Sequence, residues 1–170
     1  GENLMNKPCV ATAMLCCLAT APLVSVAEEE AMMVSVKRLS LDTAMKMAQG
    51  AIGACRQKGI QIGVAVVDRD GVVQAQLRDT IAAPITVPIS RQKAFTAVNF
   101  NAPTSQLGSR ADTPIGRIDG LVMSAGGLPV QVGGALVGGI GVSGAPAGKT
   151  DEECAQAGID KVLEDLEMAM

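Results

Sequence analysis

The clearest periodic pattern of apolar residues lies between residues 40 and 59. Ser40 is a suitable N-cap, and Gly59 follows the basic residue Lys58 as a C-terminal glycine. Between them, apolar or small residues recur three and four positions apart: Leu41, Ala44, Met45, Ala48, Ala51, Ile52 and Cys55. This spacing predicts an amphipathic helix that buries one face.

The next segment has the pattern of a β-hairpin. Two runs rich in β-branched residues, 61–67 and 72–77, flank the turn sequence D-R-D-G at 68–71. The first run is apolar at nearly every position, so we expect both of its faces to be covered. Asp68 is expected to set the turn, and a catalytic acid is the alternative interpretation.

The rest of the chain predicts two more helices and three short strands. One helix begins near Pro88 and continues to Phe100, and a last helix is capped by Asp151. The strand patterns cover residues 121–124, 128–132 and 135–142. The order α-β-β-α-β-β-β-α predicts an α+β fold, profilin-like or PAS-like, with a five-stranded antiparallel sheet and flanking helices.

A glycine-rich run near the C-terminus has the letters of a nucleotide-binding motif. Gly139 to Gly144 spells G-x-G-x-x-G, and residues 144–150 fall one residue short of a P-loop. These glycines alternate with apolar residues of a strand, and the next predicted helix begins seven residues after Gly144. A phosphate cradle needs a helix N-terminus directly after the glycines, so we expect no nucleotide site. The glycines then serve either close packing or the floor of a ligand site.

The N-terminal residues have the layout of an export signal. An uncharged apolar stretch follows a short basic start, and small residues precede a cleavage point after Ala27. This predicts a signal peptide and a periplasmic or secreted protein, with a membrane anchor as the alternative. The predicted boundaries are an artificial extension at 1–4, the signal peptide at 5–27, a flexible lead-in at 28–38 and one domain at 39–170.

Composition excludes several classes of function. The chain has 14 basic and 17 acidic residues, a net charge of −3, and its basic residues form no runs, which argues against nucleic-acid binding. It contains no His, Trp or Tyr. Histidine-based acid–base catalysis, a Ser-His-Asp triad and histidine-ligated zinc are therefore excluded.

Two cysteines, Cys55 and Cys154, lie outside the predicted signal peptide, both on predicted helices. In an exported protein they can form one disulfide. The alternative is a pair of small buried apolar side chains. The sequence leaves both interpretations open.

Residues 40–160 resemble the GlcG/HbpS-like family, small proteins described as haem-binding that also occur as the C-terminal domain of PduO-type cobalamin adenosyltransferases. The matching pieces are Val66-Val-Asp68 with Gly71, Lys93-Ala94 with Thr96-Ala97, Gly126-Gly-Leu-Pro129, Gly138 to Gly144, and Asp151-Glu152 with Cys154-Ala155. The resemblance implies a profilin-like fold, homo-oligomerisation and, in some members, binding of haem or a related tetrapyrrole. The chain departs from the family after Arg78. Because it lacks His, only Met, Cys thiolate, Lys, a hydroxyl or water remain as axial iron ligands.

Six residues are candidates for ligand binding. Lys93 and Arg78 are cations suited to a carboxylate, although Lys93 can also be a surface lysine and Arg78 can pair with a nearby acid. The segment Gly126-Gly127-Leu-Pro129 either presents backbone N–H groups, those of its glycines included, to an anion or forms a turn. Thr96 is a candidate because it belongs to the family pattern. Three hypotheses remain: an exported haem-binding module without turnover, an accessory protein or enzyme acting on a small carboxylate, and a structural oligomer.

Overall fold

The computed structural model describes residues 32–170. The predicted extension, the signal peptide and residues 28–31 lie outside the described residues. Every helix and strand described belongs to the unit Val36–Met170. Within the described part of the chain, no helix is both apolar enough and long enough to cross a bilayer.

This unit contains three α-helices, two short 3-10 helices and four strands. The α-helices are α1 (Leu41–Gln57), α2 (Thr86–Phe100) and α3 (Gly148–Met168). The strands are β1 (Gly63–Asp68), β2 (Val73–Arg78), β3 (Gly127–Val132) and β4 (Ala135–Ser143), and the 3-10 helices are Thr104–Arg110 and Pro114–Arg117. Ser40 caps α1 as predicted, since its hydroxyl accepts the N–H of Thr43.

The strands form one antiparallel sheet in the order β2-β1-β4-β3. The expectation of five strands is wrong, because residues 121–124 form no strand. The backbone N–H of Val122 donates instead to the Thr96 hydroxyl of α2, at 2.9 Å. The Thr96 side chain thus satisfies a backbone N–H that a strand partner would otherwise bind. Helices α2 and α3 also begin earlier than predicted, at Thr86 and Gly148.

Helices cover both faces of the sheet, as the apolar pattern of β1 predicts. Val64 and Val66 of β1 belong to the large core shared with α1 and α3, together with Ile140 of β4. Ala65 and Val67 point to the opposite face and pack against α2. The alternation of side chains along one fully buried strand thus supplies both apolar layers.

The glycine-rich run lies inside β4, where it lets α2 approach the sheet backbone. A Cβ atom on Gly141 would lie 2.0 Å from the Ser90 carbonyl oxygen, and one on Gly139 would lie 2.5 Å from Val98 Cγ2. No larger residue fits beneath the helix at these positions. The packing interpretation of these glycines is confirmed.

Two further predictions are resolved by local contacts. The Asp68 carboxylate accepts the N–H groups of Asp70 and Val72, both at 2.9 Å, which confirms that it sets the hairpin turn. Cys55 and Cys154 form a disulfide that joins α1 to α3, and both residues are fully buried. The disulfide interpretation of the two cysteines is therefore the correct one.

Candidate functional site

A buried ion pair connects α2 to the start of α3. Lys93 Nζ donates to Asp151 Oδ2 and to the Val142 carbonyl oxygen, each at 3.0 Å. The two charged side chains are only 5% and 4% exposed. Lys93 is therefore neither a surface lysine nor a cation open to an incoming carboxylate, because an internal carboxylate already occupies it.

Asp151 is held from two sides. Its second oxygen, Oδ1, accepts the backbone N–H of Ala145 at 2.9 Å. Burial raises the pKa of Asp151, while the Ala145 N–H and the Lys93 ammonium favour its charged form. The predicted cap residue of the last helix is thus an internal carboxylate in the first turn of α3 that fixes the β4–α3 connection.

Gly126 and Gly127 pack around this pair. Gly126 has φ = 124°, and a Cβ atom there would lie 2.7 Å from Lys93 Nζ. Its N–H points to Glu152 Oε2 at 3.4 Å, and the N–H of Gly127 donates to the Thr104 hydroxyl at 2.8 Å. Both N–H groups have partners within the chain, so Gly126 serves here to admit the lysine head group and Gly127 to admit the backbone of α2 at Lys93.

The other three candidates lie apart from the ion pair. The Thr96 hydroxyl donates to the Gln92 carbonyl oxygen and accepts from Val122, and the residue is fully buried. Pro129 lies in the edge strand β3, opposite Gly139. Arg78 is exposed at the end of β2, where one of its Nη atoms donates to the Ala82 carbonyl oxygen.

A groove of about 530 Å³ opens above Asp151. We call it the Asp151 groove. It is lined by Gly59, Gln61, Ile81, Ala82, Ala83, Ile85, Thr86, Ser143, Gly144, Ala145 and Asp151. Its volume falls within the range usual for small-molecule sites. Lys93 and Gly126 contact its floor through Asp151, and Arg78 contacts its rim through Ala82.

The groove combines an apolar lip with a polar floor. Ile81 and Ile85 line it and are 78% and 61% exposed, so neither is needed for the core. Ser143 also lines the groove; it is only 8% exposed, and its hydroxyl makes no hydrogen bond within residues 32–170 but keeps access to solvent. Water can satisfy this hydroxyl in the free protein, and a polar group of a ligand bound in the groove can take the place of that water.

Sequence reasoning missed the residues that form this groove. Ser143 lay within the glycine run, and only the antiparallel pairing of β1 with β4 brings it opposite Gly63, near the loop that follows β2. Ile81 and Ile85 lie in the segment where the chain departs from the family pattern, and two isoleucines in a predicted loop were the available signal. The contact between Lys93 and Asp151 joins residues 58 positions apart.

The donors for a metal or haem iron are few. Among residues 32–170, no three His, Cys, Asp or Glu side chains are grouped so that they could hold a metal ion. The disulfide removes both Cys55 and Cys154 as thiolate ligands. No methionine lines the groove, so hydroxyl groups are its remaining neutral side-chain oxygen donors apart from the Gln61 amide.

The chain matches known proteins over most of its length. Residues 39–160 match the family model described as haem degrading protein HbpS-like. An uncharacterized 15.0 kDa protein from the dhaT-dhaS intergenic region of Citrobacter freundii is 30% identical over 117 residues, 64% of this chain and 82% of that protein.

Solved structures agree with this match. The crystal structure of HbpS is 42% identical, with a TM-score of 0.73, over 79% of this chain and 97% of that one. A double mutant of Streptomyces reticuli HbpS gives the same identity and TM-score over 84% and 97%. The PduOC complex with haem shares the fold, at 24% identity and a TM-score of 0.68, over 73% and 94%. This chain belongs to the HbpS-like family.

Proposed function

We propose that this protein is a small binding protein for haem or a related tetrapyrrole, that it holds the ligand in the Asp151 groove, and that it does so without turnover. The observation that carries the proposal is the groove itself, where two exposed isoleucines and the hydroxyl-bearing Ser143 line one opening of about 530 Å³. Apolar walls with a few converging polar groups are typical of cofactor sites.

Two comparisons support the choice of ligand. The family description names haem, and membership rests on a match to residues 39–160. PduOC, which shares the fold, was solved as a complex with haem. The family description also names haem degradation. A protein that degrades haem must first bind it, so haem binding is common to a binding protein and to a haem-degrading one.

The groove residues fit the parts of a tetrapyrrole unequally. Ile81 and Ile85 offer apolar surface to the face of the macrocycle, and Arg78 offers a guanidinium for a propionate at the rim. Bound iron would supply a centre for redox chemistry. For that iron the groove offers the hydroxyl of Ser143 or a water beside it, because the chain has no histidine and its two described cysteines form a disulfide.

The alternative of a small-carboxylate function based on Lys93 gains no support from the geometry. Its ammonium is buried and bound to Asp151 and to a backbone carbonyl oxygen. An incoming carboxylate would have to displace Asp151 and leave it buried without its partner, which is costly.

Export to the periplasm or the medium is part of the proposal. It is supported by the signal-peptide pattern of residues 5–27 and by the buried disulfide, since disulfides persist in oxidising compartments. Homo-oligomerisation is also proposed, on the family resemblance. Sedimentation velocity of the purified protein tests the oligomer, and N-terminal sequencing of protein recovered from the periplasm tests cleavage after Ala27.

Titration with hemin, followed by absorbance, tests the ligand. Saturation at a fixed ratio of haem to chain, with a shifted band, is the expected result. An unshifted band that grows in proportion to added hemin would remove haem from the account. Ser143→Ala should alter the band of the complex if the hydroxyl or its water contacts the iron.

A further inference from the structure

A second cleft lies between α2 and the hairpin turn. We call it the Phe95 cleft, and its volume is about 330 Å³. It is lined by Gly71, Val72, Val73, Arg91, Gln92, Phe95, Asp119 and Gly120. None of these residues lines the Asp151 groove. The cleft is therefore a separate feature with its own chemistry.

The aromatic ring of Phe95 is held at the wall of this cleft by the hairpin turn. Gly71 has φ = 84°, and a Cβ atom there would lie 2.6 Å from Phe95 Cδ2. The glycine thus lets the turn lie against the ring edge and fix its position. Val72, 62% exposed, and Val73 extend the apolar surface beside the ring.

Arg91 supplies a free cation beside the ring. It lies four residues before Phe95 on α2, so both side chains project from one face of the helix. Its guanidinium has no ion-pair or hydrogen-bond partner within residues 32–170. Gln92 adds an amide to the same wall, and Asp119 lines the cleft as well without pairing to Arg91.

The other phenylalanine of the chain, Phe100, has one face of its ring covered by an arginine of the protein itself. Arg110 lies over Phe100, with its Cζ atom 5.6 Å from the ring centroid, so the protein itself covers that face. The chain has only these two aromatic residues. Arg110 covers the ring of Phe100. Phe95 instead lines a cleft beside Arg91, whose guanidinium has no partner within residues 32–170.

We propose that the Phe95 cleft binds a small aromatic monocarboxylate. The ligand ring would pack on Phe95 and the two valines, and its carboxylate would pair with the Arg91 guanidinium. The volume is at the low end for ligand sites and suits one ring better than a tetrapyrrole. Asp119 would accept a hydrogen bond from a ring hydroxyl and would repel a second carboxylate, so dicarboxylates are disfavoured.

Ligand-observed NMR with 4-hydroxybenzoate on the whole protein tests the proposal. Saturable binding is expected, with at least tenfold weaker binding in Arg91→Gln, on the order of the loss of one charge-assisted pair. Arg110→Gln is the matched control, because it removes an arginine beside the other ring and should leave the affinity unchanged. Terephthalate and 4-hydroxybenzyl alcohol should bind more weakly than the probe.

Three results would overturn the proposal. They are the absence of saturable binding to the unaltered protein, equal weakening by Arg91→Gln and Arg110→Gln, and displacement of the probe by one equivalent of hemin. The last result would place the tetrapyrrole in this cleft. If hemin does not bind but the probe does, only the proposed haem function is contradicted. The two proposals can therefore fail separately.

Discussion

Lys93 and Asp151 form a buried ion pair between α2 and α3, with 3.0 Å between Nζ and Oδ2. Both side chains are almost fully removed from solvent. Asp151 lines the Asp151 groove, Lys93 lies behind it, and the second oxygen of the aspartate holds the β4–α3 connection. The family pattern that includes Lys93 and Asp151 therefore has a structural explanation independent of any ligand.

Breaking this pair from one side should be strongly destabilising. Asp151→Asn or Lys93→Met leaves the remaining charge buried without its partner, at a cost of about 3–5 kcal/mol in the free energy of unfolding. The double variant should lose less than the sum of the two single losses. Urea denaturation of the four proteins measures this coupling, and strictly additive losses would contradict the account.

A second carboxylate, that of Asp79, predicts how the free energy of unfolding changes in acid. The side-chain hydrogen bonds of Arg56 to Asp79, both 2.7 Å, lower the pKa of Asp79 below its ordinary 3.8. The folded state thus holds a carboxylate that protonates less readily than in the unfolded state. Its stabilising contribution is complete above pH 3.8 and is lost as pH falls through the lowered pKa.

Asp79→Asn should therefore flatten the acid limb of the stability curve. The measurement is thermal or urea unfolding at a series of pH values from neutral to about 2. Asp165→Asn is the control, since Asp165 is exposed and forms no ion pair within the described residues. An Asp79→Asn curve parallel to that of the unaltered protein down to pH 2 would refute this assignment.

The glycines of β4 should not tolerate alanine. Gly141→Ala places a methyl group against the Ser90 carbonyl oxygen of α2 and should lower the free energy of unfolding by about 1–3 kcal/mol. Gly53→Ala is the matched control, because an added Cβ there meets nothing within 4 Å and α1 gains about 0.5–1 kcal/mol. Equal effects of the two substitutions, measured by urea denaturation, would count against the packing explanation.

The disulfide should contribute a large part of the stability. It closes a loop between residues 99 positions apart. Loop-closure entropy predicts about 4–5 kcal/mol for a loop of that size. The variant Cys55→Ala/Cys154→Ala should unfold at a correspondingly lower urea concentration, and added reductant should leave its midpoint unchanged. A midpoint equal to that of the oxidised protein would show that helix packing alone holds α1 to α3.

Local patterns predicted most of the secondary structure. The spacing from Leu41 to Cys55 and the turn at Asp68 are set by neighbours in sequence, so α1 and the hairpin follow from the residues themselves. The apolar residues Leu121 to Met123 led to the wrong prediction of a strand. The backbone N–H of Val122 donates to Thr96 on α2, a contact that no local sequence pattern indicates.

The candidate site was less predictable than the fold. The sequence offered Lys93 as a cation for a carboxylate or as a surface lysine, but its partner Asp151 and the glycine that admits it come from distant segments. Ser143 was missed because only the folded arrangement of β4 and the loop after β2 places it in the wall of the groove.

The most direct test of the central claim compares hemin binding in groove variants of the full chain. Ile81→Glu/Ile85→Glu places charges at the lip of the Asp151 groove, and because both residues are exposed the fold should be kept. Leu41→Glu is the control, an equally exposed apolar residue on α1 that lines no part of the groove. The account predicts saturable Soret binding for the unaltered protein and for Leu41→Glu, with affinity lower by roughly tenfold or more in the groove variant. Equal hemin affinity in all three proteins would show that haem, if bound, lies elsewhere.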